Sequence, residues 1–263
     1  MRGRLAHVQF RGSIRERSVE PFVRLLRGLR ERRRVKGVLL DISSGGGGDI
    51  PSTDFYLAVK RLDQVKPVFA SIGALGASGA YMAAIGARKV YAYPDSGVGS
   101  IGVVLPHFAI RELLDKLGVR VELLHEGRHK DAYQGLRALS DEERTKLQAV
   151  VSDSYESFVE LVARERRKPV EEIRALATGE FWSGKRALQL GLVDALGDRF
   201  EALEELARLT GVASSRTVTV APPRPFFERF LSGGVSSLTD GLLVGLRENL
   251  EDAVAESLLL RGR

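Results

Sequence analysis

Residues 37–51 read Gly37-Val-Leu-Leu-Asp-Ile-Ser-Ser-Gly-Gly-Gly-Gly-Asp-Ile-Pro51. The run from Gly37 to Ile42 is almost continuously apolar, as in strands buried on both faces of a parallel sheet. Gly45 to Gly48 form a glycine loop. Asp49 then supplies a helix cap, and Pro51 falls just inside the helix, which extends to about Asp63. The pattern recurs downstream. Pro67 to Ile72 is a strand, followed by a small-residue loop and a helix from Ser78 to Ala87. Lys89 to Tyr93 is a strand, followed by a Gly-rich loop from Pro94 to Gly102, a helix from Phe108 to Leu117 and a strand from Val119 to Leu124. Upstream, a short strand spans Arg4 to Phe10, and Phe22, Leu25, Leu26 and Leu29 mark a helix over Val19 to Arg34. This alternation predicts an α/β fold built on a parallel sheet.

The C-terminal portion is helical. Ser140-Asp-Glu-Glu143 is a capping box that opens a helix reaching about Arg167. Shorter helices are expected over Pro169 to Ala177 and Ser183 to Leu190, then a small strand at Gly191 to Asp194 and a helix from Arg199 to Leu209. Pro222, Pro223 and Pro225 make 213–225 a linker, and 226–263 reads as an amphipathic helical tail. The expected division is a domain over 1–212, the linker, and the tail.

The chain has 263 residues, 44% of them hydrophobic and 28% charged, which is enough to bury a core and rules out global disorder. Cysteine is absent, which excludes disulfides, thiol nucleophiles and iron–sulfur clusters. The four histidines, His7, His107, His125 and His129, form no HExxH and no i, i+4 pair, which counts against a catalytic metal, and no cofactor is implied. Net charge is +6. Arg32-Arg33-Arg34 is read as a solvated helix end rather than a nucleic-acid site, because no aromatic residue interleaves it. The N-terminus lacks the apolar core of a signal peptide. Pro67 to Ala87 is free of charge but too rich in Gly, Ala and Ser for a spanning helix. The expected location is the cytoplasm or the periphery of the cytoplasmic membrane, with the tail as the element that would touch lipid.

Three glycine-rich loops each follow a strand, and ligands of parallel α/β sheets sit at the strands' carboxyl ends. Ser43-Ser-Gly-Gly-Gly-Gly48 is no Walker A loop, but its amides suit an anion or oxyanion. In Gly76-Ala-Ser-Gly-Ala80, Ser78 sits where strand turns to helix. That position fits either a helix cap or an exposed nucleophile. A serine nucleophile needs a base. Of the histidines, His129, beside Asp131, is the one read as lying in a loop with an obvious orienting carboxylate. A lysine must lose several pKa units from about 10.4 to serve. Lys130, in the loop after the strand 119–124, is the candidate on the same sheet edge.

These stretches resemble the signal peptide peptidase A type of serine protease. The family's Asn-Ser-Pro-Gly-Gly stands here as Ile42-Ser-Ser-Gly-Gly46, its Ala-Ala-Ser-Gly-Gly-Tyr as Gly76-Ala-Ser-Gly-Ala-Tyr81, and its Thr-Gly-Ser-Ile-Gly-Val as Val98-Gly-Ser-Ile-Gly-Val103. Its lysine loop stands as Gly127-Arg-His-Lys-Asp131, and its downstream motif as Gly184-Lys-Arg-Ala-Leu-Gln-Leu-Gly-Leu-Val-Asp194. The resemblance implies a ClpP/crotonase-like fold and a Ser–Lys dyad of Ser78 and Lys130. It also implies an oxyanion hole from the amides of Gly46 and Gly79, with Ser100 hydrogen-bonding the lysine amine. Leu75, Tyr81 and Val98 are expected to exclude water and line substrate pockets, or else to be core. The chain departs from the family's pattern in lacking the Pro at 44 and the Gly at 80, and the N-terminal anchor usual in the family is not expected here.

The resulting expectation is an endopeptidase acting on hydrophobic or unfolded segments, such as remnant signal peptides, and assembled as a homo-oligomeric ring or dome. Within that ring Ser78 and Lys130 come from the same or adjacent subunits. The competing expectations are a crotonase-like acyl-CoA enzyme and an inactive scaffold of the same fold.

Overall fold

The computed structural model of the chain describes residues 3–222. In chain order the elements are β1 (Arg4–Arg11), α1 (Glu16–Glu31), β2 (Val35–Ser44), α2 (Asp49–Asp63), β3 (Val68–Ala77), α3 (Gly79–Ala84), β4 (Lys89–Ala92) and β5 (Gly97–Gly99). There follow α4 (Arg111–Lys116), α5 (Asp141–Arg166), α6 (Val170–Leu176), β6 (Phe181–Ser183), α7 (Gly184–Gln189), β7 (Ala195–Leu196), α8 (Arg199–Thr210) and β8 (Thr217–Thr219).

Among these residues the sheet runs β6-β5-β3-β2-β1-β8, with β4 branching from β3 and β7 pairing with β4. Only β5–β6 is antiparallel; every other pairing is parallel. Strands β2 and β3 are central and read as long apolar runs because side chains alternate between two covered faces. On one face Ala6, Val8, Phe10, Leu40 and Ile42 join the core under α1, α2 and α3. The rings of Phe10, Phe22 and Phe55 cluster there, with Phe10 5.0 Å from each of the other two. On the opposite face Leu5, Leu39, Phe69 and Tyr91 pack under α8 through Ala202 and Leu206. The expected α/β parallel-sheet architecture with a helical C-terminal portion is therefore present.

Several expectations fail locally. Residues 119–124 form no strand: they pair with no other strand among the described residues, and Val119, Leu123 and Leu124 are exposed. An unpaired strand is not stable alone, however apolar its sequence. The helix of 108–117 shortens to α4, which buries no residue of its own. The strand expected at Gly191–Asp194 moves to β7. Asp194 is held beside β4 by its own side chain, whose Oδ2 accepts from the Val90 amide at 2.7 Å. The expected linker at 213–225 begins inside the body: β8 extends the sheet at β1, and the Val220 amide donates to the His7 carbonyl at 2.8 Å. The tail expected over 226–263 lies outside the described residues.

Candidate active site

The three glycine loops meet at the carboxyl ends of β2, β3 and β5. Ser78 is the single residue between β3 and α3 and adopts φ 51° and ψ −125°. A serine in this left-handed region is strained, and the tightness of the turn is what pushes its hydroxyl outward. Only three non-glycine residues in the chain's described part take positive φ: Ser78, Ser100 (φ 48°) and Arg167. Two of the three are the serines singled out in the sequence. They are joined through β5: the Ser78 amide donates to the Gly99 carbonyl at 2.7 Å, and the Ser100 amide donates to the Glu180 carbonyl at 2.7 Å.

The first loop closes over this turn. Gly46, at φ +91°, comes so near that a Cβ there would lie 2.8 Å from the Gly79 nitrogen and 2.8 Å from the Ser78 Cβ. Gly79 packs equally hard on α2, where an added Cβ would fall 1.9 Å from Ser52 Oγ. As the first residue of α3, Gly79 carries an amide with no intrahelical acceptor. Gly46 was expected to supply the second oxyanion donor, but its amide donates to Ser44 Oγ at 3.1 Å. The neighbouring Gly47 amide has no acceptor among the described residues, and its nitrogen lies 3.6 Å from where a Gly79 Cβ would sit. Four consecutive glycines in the sequence carry no mark of which amide is spoken for. Ser44 was the available signal, since Ser side chains accept from the amide two residues on.

Ser78 separates two clefts. One, of about 360 Å³, is lined by Gly79, Met82, Leu105, Val150 and Phe158 among others. The other, of about 620 Å³, is lined by Gly46, Ser100, Val103, Tyr155 and Gly179 among others. Val103 and Val104 border both. The side chains that share the clefts with Ser78 therefore come largely from the 102–105 segment and from the middle of α5. Tyr81 and Val98, expected to line pockets or else to be core, are fully buried. Both lie on the inner side of their elements: the Tyr81 hydroxyl donates to the Leu192 carbonyl at 2.8 Å, and burial pushes its pKa up. Leu75 is partly buried but lines neither cleft. Met82, Val150 and Phe158 were the missed positions, of which the last two share one face of α5 at i, i+8.

Lys130 sits elsewhere. It is exposed in the loop before α5, its side chain has no partner among the described residues, and no lysine lines either cleft. The hydroxyls of Ser78 and Ser100 likewise bond to no side chain among the described residues. The alternative bases do not fill the gap. His107 Nε2 meets the Arg137 carbonyl at 2.9 Å, His129 meets Lys146 and Glu143, and His125 lines neither cleft.

The model of peptidase family S49 matches residues 60–213. The chain belongs to peptidase family S49. A protein of Synechocystis sp. that bears a protease name is 34% identical over 95% of this chain and 91% of its own length. The chloroplastic serine protease SPPA of Arabidopsis thaliana is 30% identical over 88% of this chain but only 35% of its own length. Protease 4 of Salmonella typhi is 32% identical over 70% of this chain and 30% of its own length. Among solved structures, a mutant of ClpP1 from Listeria monocytogenes superposes with a TM-score of 0.51, covering 74% of this chain and 93% of its own at 14% identity. That likeness establishes the ClpP/crotonase-like fold. The S49 peptidase is a serine protease of the signal peptide peptidase A type, and this decides against the acyl-CoA reading. Among its described residues no helix is long and apolar enough to cross a membrane.

Proposed function

We propose that this S49 peptidase cleaves peptide bonds in hydrophobic or unfolded segments, remnant signal peptides included, with Ser78 as nucleophile and Lys130 of an adjacent copy as its base. The observation that carries the reading is Ser78 itself: a serine held at positive φ on a strand-to-helix turn, flanked by two clefts and facing unengaged backbone amides. In the proposed reaction Ser78 Oγ attacks the peptide carbonyl. An uncharged lysine amine takes the hydroxyl proton and later returns it to the leaving amine. The Gly79 and Gly47 amides hold the oxyanion, and Ser100 orients the amine. Gly46, in this reading, serves by close approach rather than by donating.

The base is assigned to a second copy on two grounds. An uncharged amine requires a dry site, and Lys130 is solvent-exposed in the single chain. The stretch leading to it is also apolar and uncovered: Val104 is 85% and Leu124 91% exposed, and Phe108, Leu113 and Leu117 are exposed as well. So much uncovered apolar surface on one segment is the mark of an interface. A homo-oligomer is accordingly part of the proposal. The clefts' side chains, Met82, Val104, Leu105, Val150 and Phe158, suit apolar substrate residues. The test is cleavage of an unfolded protein and an apolar peptide by wild type, Ser78→Ala and Lys130→Ala. Turnover is expected only from wild type. Turnover by either variant removes that residue from the mechanism.

A further inference from the structure

The loop that carries Lys130 is locked onto the N-terminal turn of α5 by one guanidinium. Arg137 Nε donates to Asp131 Oδ2 at 2.8 Å and Nη2 to Asp131 Oδ1 at 3.0 Å. The same guanidinium donates to Glu143, from Nη1 to Oε2 and from Nη2 to Oε1, both at 2.8 Å. Glu143 is no loose surface carboxylate: it is 3% exposed, and its Oε2 also accepts from the Ser140 amide at 2.9 Å, which closes the capping box of α5. Planar forks of this kind fix angle as well as distance.

The residue on the other side of Lys130 is tied to the same turn. His129 Nδ1 lies 3.5 Å from Glu143 Oε1, and its Nε2 lies 2.8 Å from Lys146 Nζ and 3.5 Å from Glu142 Oε1. Arg128 reaches Glu142 at 2.8 Å. Lys130 is thus the unengaged residue in a stretch whose neighbours on both sides are pinned. The far end of α5 is pinned in turn: Glu165 pairs with Lys60 and accepts from the Tyr56 hydroxyl at 2.7 Å, and Arg166 pairs with Asp194 at 2.8 Å. Between these ends α5 lines the clefts with Val150, Val151, Ser154, Tyr155 and Phe158.

We infer that Arg137 is a positioning residue for catalysis: by bridging Asp131 and Glu143 it sets the direction in which the Lys130 amine projects from the loop before α5. This rests on Lys130 being the base. A loop that merely needed solvent exposure would not require a buried carboxylate and a doubly forked guanidinium beside it. A misplacement of about 1 Å can cost on the order of 100-fold in rate, so a latch at this point acts on turnover rather than on substrate affinity.

The test uses the full-length chain, with kcat and KM for a peptide substrate measured alongside elution volume and melting temperature. Arg137→Ala is expected to lower kcat about 100-fold while KM stays within about twofold. Guanidinium ion at non-denaturing concentration should restore part of the loss in Arg137→Ala and none in Lys130→Ala. Asp131→Asn, which leaves the Arg137–Glu143 pair and the helix cap intact, should show the same selective fall in kcat, and it serves should Arg137→Ala fail to fold or assemble. The inference is overturned by wild-type kcat in either folded variant while Lys130→Ala is inactive. It is also overturned by a loss that appears in KM alone. An active Lys130→Ala would instead remove the base assignment beneath it, a separate and recognisable outcome.

Discussion

Gly46 and Ser78 are in such close approach that no side chain fits between them: a Cβ on Gly46 would stand 2.8 Å from the Ser78 Cβ and 2.8 Å from the Ala77 carbonyl oxygen. Gly46 also sits at φ +91°, where an L side chain is strained even in open space. The glycine loop and the serine turn therefore have one mutual arrangement.

Gly46→Ala should accordingly damage the site more than the fold. Two backbone segments must separate, which displaces the Gly79 amide from the place proposed for the oxyanion. The expected result is a loss of about 100-fold or more in kcat/KM and a destabilisation of about 1–3 kcal/mol. Peptidase kinetics and urea titration read the two effects separately. Wild-type kcat/KM in this variant would show that the 43–48 loop takes no part in catalysis.

Complementation tests whether the dyad crosses between copies. Ser78→Ala and Lys130→Ala are each expected to be inactive. If the base comes from an adjacent copy, mixing the two under conditions that exchange subunits places some intact Ser78 beside some intact Lys130. Random assembly from equal amounts returns about a quarter of wild-type activity. A dyad within one chain returns none, because every chain lacks one member. Peptidase activity of the mixture against its parents decides the matter.

The sequence disclosed the frame and the serine turn for the same reason. Both depend on local pattern: an apolar run, a glycine loop, a cap, and a serine at a strand-to-helix junction. The clefts were not legible, because Met82, Val104, Val150 and Phe158 lie far apart in the chain and meet only through packing. Tyr81 and Val98 looked available beside the loops, but which face of α3 or β5 points inward is decided by what covers the sheet. The stretch 119–124 misled for the opposite reason. Its apolar residues carry a strand-like signal, yet no strand within the described chain pairs with it.

Asp41 predicts an acid-dependent stability. It is buried on β2, and Arg11 donates to both its carboxylate oxygens at 2.8 Å. Burial raises its pKa, but hydrogen bonds from His7 and Arg11 and the Arg11 charge outweigh that and bring it from 3.8 to about 2. A pKa lower in the folded than in the unfolded state means stability that is present above the unfolded value and lost as pH falls through the folded one. Asp41→Asn should therefore be less stable than wild type by about 2 kcal/mol at neutral pH, since it weakens a buried charge pair whose guanidinium can still reach water. The gap should stay constant down to about pH 4 and narrow between about pH 4 and pH 2. Urea midpoints across that range check it; a gap unchanged at pH 2 would mean that the Asp41 charge contributes nothing.

Val150 offers a test of substrate preference without a folding penalty. It lines the smaller cleft beside Ser78, yet it is 59% exposed on α5, so its side chain is not part of the core. Filling the cleft with an apolar substrate side chain is worth about 1.5–3 kcal/mol. Val150→Lys sets an ammonium at that cleft's wall and removes much of this gain, while an exposed substitution shifts stability by no more than about 0.5 kcal/mol. The expected outcome is a fall of about 10-fold or more in kcat/KM for peptides with a large apolar residue at the scissile bond, a smaller fall for peptides with alanine there, and an unchanged melting temperature. Equal losses for both peptides would show that the cleft does not hold the side chain next to the bond that is cut.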